Sequence, residues 1–320
     1  MSSAEPTSTG FLTIDEFLAL ANPRCAVLGR PIAHSLSPQL HTAGYRATHQ
    51  DDMSYYRVEA GEARELRQLL TAAGDVAGIR GLSVTMPGKQ VALELADVAT
   101  ERALSIGTAN TLVPHVEEHS APGESSGMAA PANETRRVKW LADNTDVDGI
   151  TRCLEYVVAQ GAPDLSGTSA VVIGNGGTAR PAVAALAQAG VRRVIVLARS
   201  ERALNLQALV EGFGMEFEWS RFDDPCLAAT VRGASVAIST VPAEAVEPLI
   251  PALLGTSAIV DVIYDPYPTP LLSAAREMGL PHADGLRMLA GQAEEQFRLF
   301  TGHVSPEGLM LETVLQLKQL

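Results

Sequence analysis

Apolar residues recur along this chain in two alternating rhythms. Short runs at 25–28, 54–58, 81–85 and 109–113 are rich in β-branched, aromatic and leucine side chains and are bounded by turn residues, so they read as strands. Between them, 63–73 and about 90–95 space their apolar residues as one face of a helix. Ahead of these, Thr13-Ile14-Asp15-Glu16 is a capping-box pattern before Phe17, Leu18 and Leu20, which predicts a short helix. The second half repeats the alternation more strongly. Strands are predicted at 169–173, 193–197, 216–219, 236–239 and 258–262, with helices over about 178–189 and 201–211. Repeated βαβ units of this kind imply an α/β fold with a parallel, doubly wound sheet. The chain then closes on two helices, about 286–300 and 306–317, with no further strand.

The rhythm breaks once, at 114–138. Residues 119–133 are rich in Ala, Pro, Gly, Ser and Glu and carry no periodicity. Strand-like segments flank the break closely, which favours an enlarged hairpin loop over a linker. Residues 1–10 are Ser/Thr/Pro/Gly-rich and are expected to be disordered. A length of 320 residues suggests two domains. The expected boundaries are an N-terminal α/β domain over 1–147, a Rossmann domain over 148–284 and terminal helices over 285–320 that pack back toward the first.

Charge narrows the function. With 37 acidic against 24 basic side chains the net charge is −13, and no Lys/Arg cluster is available to neutralise phosphates, so no nucleic-acid partner is expected. No apolar run reaches the ~18 residues of a membrane span, and residues 1–10 lack the basic and apolar blocks of a secretory signal. Cys25, Cys153 and Cys226 are far apart and without CxxC spacing. They read as buried thiols in a reducing, cytoplasmic setting, with no metal site. The 24 basic residues divide into 21 Arg and only Lys89, Lys139 and Lys318. A chain that writes Arg wherever any positive charge serves keeps Lys where a proton has to move.

Gly174-Asn175-Gly176-Gly177-Thr178-Ala179 follows one predicted strand and opens a predicted helix. The pattern is G-x-G-G-x-A, a variant of the dinucleotide turn. Its first glycine turns the chain, its second admits a pyrophosphate and its small sixth residue lets helix and strand pack closely. The helix N-terminus then presents unpaired N–H groups to the phosphates. At the end of the next strand an NAD-binding fold usually carries Asp or Glu for the ribose 2′-hydroxyl. Here the run is Ala198-Arg199-Ser200-Glu201-Arg202, which suits a 2′-phosphate and favours NADP.

The first half contributes small polar residues at loop positions. They are Ser35 and Ser37 within 29–38, Thr85 and Lys89 within 83–89, Asn110-Thr111, and Asp143-Asn144-Thr145-Asp146. Hydroxyls and amides of this kind suit a polyhydroxylated, carboxylated small molecule. Ser35 and Ser37 also precede Pro38 and could cap a helix there; both jobs are compatible. Asp143 and Asn144 read as turn formers rather than ligands.

Together these blocks resemble the shikimate dehydrogenase family. Its G-x-P-I-x-H-S-x-S-P, N-V-T-x-P-x-K, N-T-L and D-N-T-D motifs are matched in order here. So are its D-x-x-Y-x-P-x-x-T-P motif, from Asp261 through Tyr264 to Pro270, and its D-G-x-x-M-L-x-x-Q tail, from Asp284 to Gln292. The resemblance covers about residues 26–300 and implies reduction of 3-dehydroshikimate to shikimate with NADPH, in a cleft between the two domains. It further implies Lys89 and Asp146 as the catalytic pair, and Ser35, Ser37, Thr85, Asn110, Tyr264 and Gln292 as substrate ligands. Gly174, Asn175, Gly176, Gly177, Thr178 and Ala179 would hold the pyrophosphate, and Ala198, Arg199, Ser200 and Arg202 the adenosine end. Gly285 and Met288 fall at the nicotinamide end, where Met288 either touches the ring or packs in the core. Tyr264 could instead pack a sheet edge, and Gln292 could lie on a solvated helix face.

The chain departs from the family pattern in three places. Ser83 stands where Asn is frequent, removing an amide; Arg287 replaces a frequent Gly, adding bulk near the cofactor; Ala198 replaces an Asn before the arginine. The competing readings are a quinate/shikimate dehydrogenase using NAD, a silent dinucleotide-binding homologue, and another reductase on the same scaffold. The partner expected is a small molecule, with the protein a monomer or homodimer.

Overall fold

A computed structural model describes residues 11–73, 78–115 and 138–319. The expectations for 1–10 and 119–133 lie outside the described residues. The first half runs β1 (Phe11–Leu12), α1 (Ile14–Ala19), β2 (Arg24–Gly29), α2 (Ser37–Ala47), β3 (Ser54–Glu59), α3 (Ala63–Ala73), β4 (Ile79–Val84), α4 (Lys89–Leu95), β5 (Val98–Ala99), α5 (Glu101–Ile106), β6 (Thr111–His115) and β7 (Lys139–Asp143). Thr13 and Glu16 form the reciprocal capping box that starts α1. The strands make one sheet in the order β1-β3-β2-β4-β6-β7-β5. Its β1, β3, β2 and β4 are parallel, whereas β6 runs antiparallel to both β4 and β7. Thr111 pairs with Asp143 and His115 with Lys139, so the strands on either side of the 114–138 break are a hairpin.

The second half begins with α6 (Asp146–Ala159). It continues with β8 (Ser169–Ile173), α7 (Ala179–Gln188), β9 (Arg193–Leu197), a 3₁₀ segment (Glu201–Leu206) leading into α8 (Gln207–Gly212), and β10 (Glu216–Ser220). Then come α9 (Leu227–Val231), β11 (Val236–Ser239), α10 (Ala243–Val246), α11 (Ile250–Leu253), β12 (Ile259–Asp261), α12 (Pro270–Glu277) and β13 (His282–Asp284), before α13 (Gly285–Thr301) and α14 (Leu309–Leu317). The second sheet is parallel throughout in the order β10-β9-β8-β11-β12-β13, the doubly wound arrangement expected for a dinucleotide fold. Three local readings change. The strand β13, only three residues long, carried too little pattern to be seen. The turn expected at 143–146 is the entrance to α6. The helix expected at 201–211 starts as a 3₁₀ turn.

Two long helices tie the sheets together. On α6, Val147, Ile150, Cys153, Leu154 and Val157 are buried in the core of the second sheet. Where α6 crosses α13 both helices carry glycine: a Cβ on Gly149 would lie 2.4 Å from the Met288 carbonyl oxygen, and one on Gly291 3.1 Å from Gly149 Cα. That approach exists only because neither position has a side chain. From Gly285, packed on Val262 beside the second sheet, α13 reaches the first, where the Phe300 ring fills the space over Gly81. The apolar cluster of Leu40, Tyr45, Phe297, Met310 and Val314 then joins α13 and α14 to α2. Arg180 on α7 adds a polar tie, donating from Nε to the Ile106 carbonyl at the end of α5.

Candidate active site

The C-terminal ends of parallel strands leave backbone groups and side chains free at one edge of a sheet, and both sheets turn that edge toward a shared cleft. On the first sheet, β4 ends at Val84 and hands the chain to Thr85 and then to Lys89, the first residue of α4. Two backbone bonds fix that turn: Gly88 N–H donates to the Thr85 carbonyl (2.9 Å) and Ala109 N–H to the Lys89 carbonyl (2.9 Å). On the other side Asp146 is the first residue of α6, where the helix dipole favours an acid. Lys89 Nζ donates to Asp146 Oδ2, and the two side chains are only 12% and 5% exposed.

The rest of the D-N-T-D segment holds that aspartate in place. Asn144 N–H bonds to Asp143 Oδ1 (2.8 Å), Asn144 Nδ2 donates to the Thr108 carbonyl (2.9 Å) and Asp146 N–H donates to Asn144 Oδ1 (3.2 Å). Asp143 is itself clamped by Arg102, with Nε on Oδ1 at 2.6 Å and a second guanidinium nitrogen on Oδ2 at 2.7 Å, and by the Thr100 hydroxyl (2.7 Å). Burial opposes ionisation of Asp143, but the Arg102 bonds and charge outweigh it and hold its pKa below the usual value. Asp143 and Asn144 therefore shape the short connection from β7 into α6 and through it aim Asp146.

Asn110 is the centre of the site. Its Nδ2 donates to Asp146 Oδ1 (2.8 Å), Thr145 Oγ1 (3.0 Å) and Gln292 Oε1 (3.3 Å), while its Oδ1 accepts from the Thr111 hydroxyl (2.7 Å) and Thr145 N–H (2.8 Å). Gln292 is 7% exposed, so it faces the cleft interior rather than a solvated surface. Leu36 is the cap residue of α2 and makes no side-chain cap bond, but Ser35 Oγ accepts from the N–H of Ser37, the first residue of the helix (3.4 Å). Ser35 Oγ sits 3.3 Å from Ser37 Oγ, and the Ser35 carbonyl accepts from Arg57 Nε (3.0 Å). Tyr264 is half-buried against the α13 cluster, and burial raises its phenol pKa, with Asp265 adding to the effect.

On the second sheet, β8 ends at Ile173 and is followed by Gly174 with φ +104°, a conformation side chains resist. A Cβ there would lie 2.6 Å from Thr240 Oγ1, whereas one on Gly176 would meet nothing within 4 Å. Open space over bare backbone at the mouth of α7 is what a pyrophosphate needs, and the residues present fit a dinucleotide. Asn175, Gly177, Thr178 and Ala179 complete the turn. Arg199, Ser200 and Arg202 are exposed beyond β9, with Ala198 buried beneath them, and neither arginine has an ion-pair partner among the described residues. Lys89 Cδ lies 4.0 Å from the Cβ position of Gly177, so the turn and the lysine face each other across the cleft.

Two expectations change here. Arg287 does not crowd the cleft: its guanidinium stacks 3.4 Å over the ring of Tyr156, ten residues or about 15 Å along α6 from Asp146. Cys226 is exposed at the start of α9, unlike the buried Cys25 and Cys153. Met288 is 9% exposed within the core cluster of the second sheet, and Gly285 packs on Val262. No individual role falls to Thr111, Thr145, Arg102 or Gln296 from the sequence alone. The first two lie inside recognised blocks; Gln296, four residues after Gln292 on α13, could have been found from helical spacing; nothing local marks Arg102. Among the described residues no group of His, Cys, Asp or Glu could hold a metal ion, and no helix is long and apolar enough to cross a membrane.

Comparison with known proteins agrees with this architecture. Residues 27–112 match the shikimate dehydrogenase substrate binding domain, and residues 285–315 the shikimate 5′-dehydrogenase C-terminal domain. A shikimate dehydrogenase (NADP(+)) of Methylobacterium radiotolerans is 36% identical over 301 residues, covering 91% of this chain and 96% of its own. The crystal structure of Mycobacterium tuberculosis shikimate dehydrogenase superposes with a TM-score of 0.76 at 39% identity, over 92% of this chain and 99% of that one. A quinate dehydrogenase from Corynebacterium glutamicum in complex with NAD gives 0.75 at 27% identity, over 92% and 99%. With its motifs in order, its two sheets and these relatives along nearly its whole length, the chain belongs to the shikimate dehydrogenase family.

Proposed function

We propose that this protein is an NADP-dependent shikimate dehydrogenase, which reversibly reduces 3-dehydroshikimate to shikimate in the cleft between its two sheets. Relatives named shikimate dehydrogenase (NADP(+)) support the activity and the cofactor. The observation that carries the reading is the buried Lys89–Asp146 pair, steadied by Asn110 and facing the dinucleotide turn at Gly177.

Bound NADPH supplies the hydride. As negative charge develops on the ketone oxygen, Lys89 Nζ hydrogen-bonds that oxygen and delivers a proton to it. Asp146 keeps the ammonium aimed while Asn110 occupies its other oxygen, so the carboxylate cannot swing away. Ser35, Ser37, Thr85, Asn110, Tyr264 and Gln292 are the substrate ligands. Gly174–Ala179 receive the pyrophosphate, with Arg199 and Arg202 on the 2′-phosphate beside Ala198 and Ser200. Gly285 and Met288 line the nicotinamide end. The substrate domain is 1–147, the cofactor domain 148–284 and the closing helices 285–320. The net charge of −13 supports a small-molecule partner over nucleic acid; a cytoplasmic enzyme working as monomer or homodimer, away from the membrane, completes the proposal.

The test is absorbance at 340 nm with 3-dehydroshikimate and NADPH or NADH, repeated in reverse with shikimate and quinate. Rapid oxidation of NADPH and a strong preference for shikimate are expected. Turnover mainly with NADH and quinate would replace this reading by a quinate dehydrogenase, and binding of NADPH without turnover by a silent homologue.

A further inference from the structure

The buried hydrogen bonds do not stop at Asn110. Gln296, on α13 one turn after Gln292 and 1% exposed, donates from Nε2 to the Asn110 carbonyl (3.2 Å) and to Thr111 Oγ1 (2.9 Å). Its Oε1 accepts from the Ser83 hydroxyl (2.7 Å), which lies 2.6 Å from the Tyr55 hydroxyl. A carbonyl can only accept, so the atom of Gln296 that faces Asn110 has to be its NH₂. That choice fixes every other direction. Gln296 Oε1 faces Ser83, so Ser83 donates to it and spends its one hydrogen there; Tyr55 therefore donates to Ser83. Thr111 accepts from Gln296 and gives its own hydrogen to Asn110 Oδ1 (2.7 Å). Asn110 is left with Nδ2 turned toward Asp146 Oδ1.

We infer that Gln296 is a positioning residue for the catalytic pair: through Thr111 and the Asn110 carbonyl it locks the Asn110 amide so that Asp146 presents its free oxygen to Lys89. The inference rests on the proposed role of Lys89 and Asp146. Ser83, at a position where an amide is frequent in the family, is not a gap in the site. Its hydroxyl is committed to Tyr55 and Gln296, and the amide on this side of the cleft is supplied by α13 instead. If Gln296 loses its donor, Thr111 is released, Asn110 can rotate, and an amide oxygen can come to face the carboxylate.

The experiment is a double-mutant cycle on kcat/KM for 3-dehydroshikimate with Gln296→Met and Asn110→Ala, with NADPH affinity measured by fluorescence. Gln296→Met keeps the volume and removes both hydrogen-bonding functions. Alone it is expected to lower kcat about tenfold, with NADPH binding unchanged; in the Asn110→Ala background it is expected to cost less than about twofold more. Additive losses would mean that Gln296 merely supports the fold, and would overturn the inference. If thermal melting shows Gln296→Met unfolded, Thr111→Val breaks the same link one residue on, with the same non-additivity expected and additivity again overturning the inference. Wild-type protein without turnover would overturn the proposed function and this inference with it. Normal wild-type turnover with an unaffected Gln296→Met variant would overturn the inference alone.

Discussion

The two walls of the cleft are built on opposite plans. On the substrate wall, side chains from β4, β6, α4, α6 and α13 converge in a buried network whose bonds span 36 residues from Asn110 to Asp146 and 213 from Ser83 to Gln296. On the cofactor wall the Gly174–Ala179 turn offers bare backbone, and Arg199 and Arg202 stand in solvent. The first wall has organised its charges before any ligand arrives, and its members are satisfied by one another. The second receives its organising charge from the phosphates it binds. Lesions on the substrate wall should therefore fall on the chemical step, and lesions on the cofactor wall on affinity.

Lys89→Ala is the most severe way to break that contrast. Removing the proton donor is expected to lower kcat by about 10³, with KM for 3-dehydroshikimate changed only a few-fold, because the interaction matters mainly in the transition state. Steady-state rates with NADPH saturating measure both. A large rise in KM with near-normal kcat would make Lys89 a ligand, and the substrate wall a binding surface like its opposite. Arg199→Ala is the milder counterpart. It is expected to raise KM for NADPH about tenfold, leave kcat nearly unchanged and narrow the preference over NADH, the loss of one charge-assisted contact to a phosphate. An unchanged NADPH/NADH ratio would take the 2′-phosphate away from Arg199.

The same contrast explains how far the sequence could be read. The cofactor wall is local: a glycine turn and the end of the next strand lie within 174–202, so the motif and its neighbours suffice. The alternating second half also announced its parallel sheet, because buried strands are continuous apolar runs. The substrate wall is legible only as a set of blocks whose family resemblance ties them together. Arg102 and Gln296 belong to no such block; Gln296 shows only as a second amide one helical turn beyond Gln292, and the role of Arg102 arises from where α5 packs, which no local pattern contains. Likewise β13 is too short to show a period, and Arg287 could be placed against Tyr156 only once α6 and α13 had crossed.

The smallest effect separates the two halves by pH. His41 on α2 is fully buried, stacked on Tyr55 with ring centroids 4.3 Å apart, and neither ring nitrogen reaches a hydrogen-bond partner. Burial pulls its pKa from 6.5 down to about 3. Asp261, at the end of β12, is pushed from 3.8 up to about 6 by burial, against the bonds from the Thr269 hydroxyl and Ile263 N–H and with Asp284 adding to the rise. Below pH 6.5 the unfolded chain binds a proton at His41 that the folded one refuses, so stability falls with acid down to about pH 3. At Asp261 the folded chain holds the proton more tightly; that contribution is present below about pH 3.8 and is lost as pH rises through 6. Between those limits the two groups oppose each other. Melting temperatures from pH 4 to 6 should therefore tilt in opposite directions when either is removed. His41→Phe should leave a protein that loses stability as pH rises relative to wild type, and Asp261→Asn one that loses it as pH falls. The expected divergence is a few degrees across the window, since each group contributes at most about 1.4 kcal/mol per pH unit. Variants that run parallel to the wild-type curve would mean that neither buried group keeps its shifted titration in the folded protein, and that the two halves respond to acid alike.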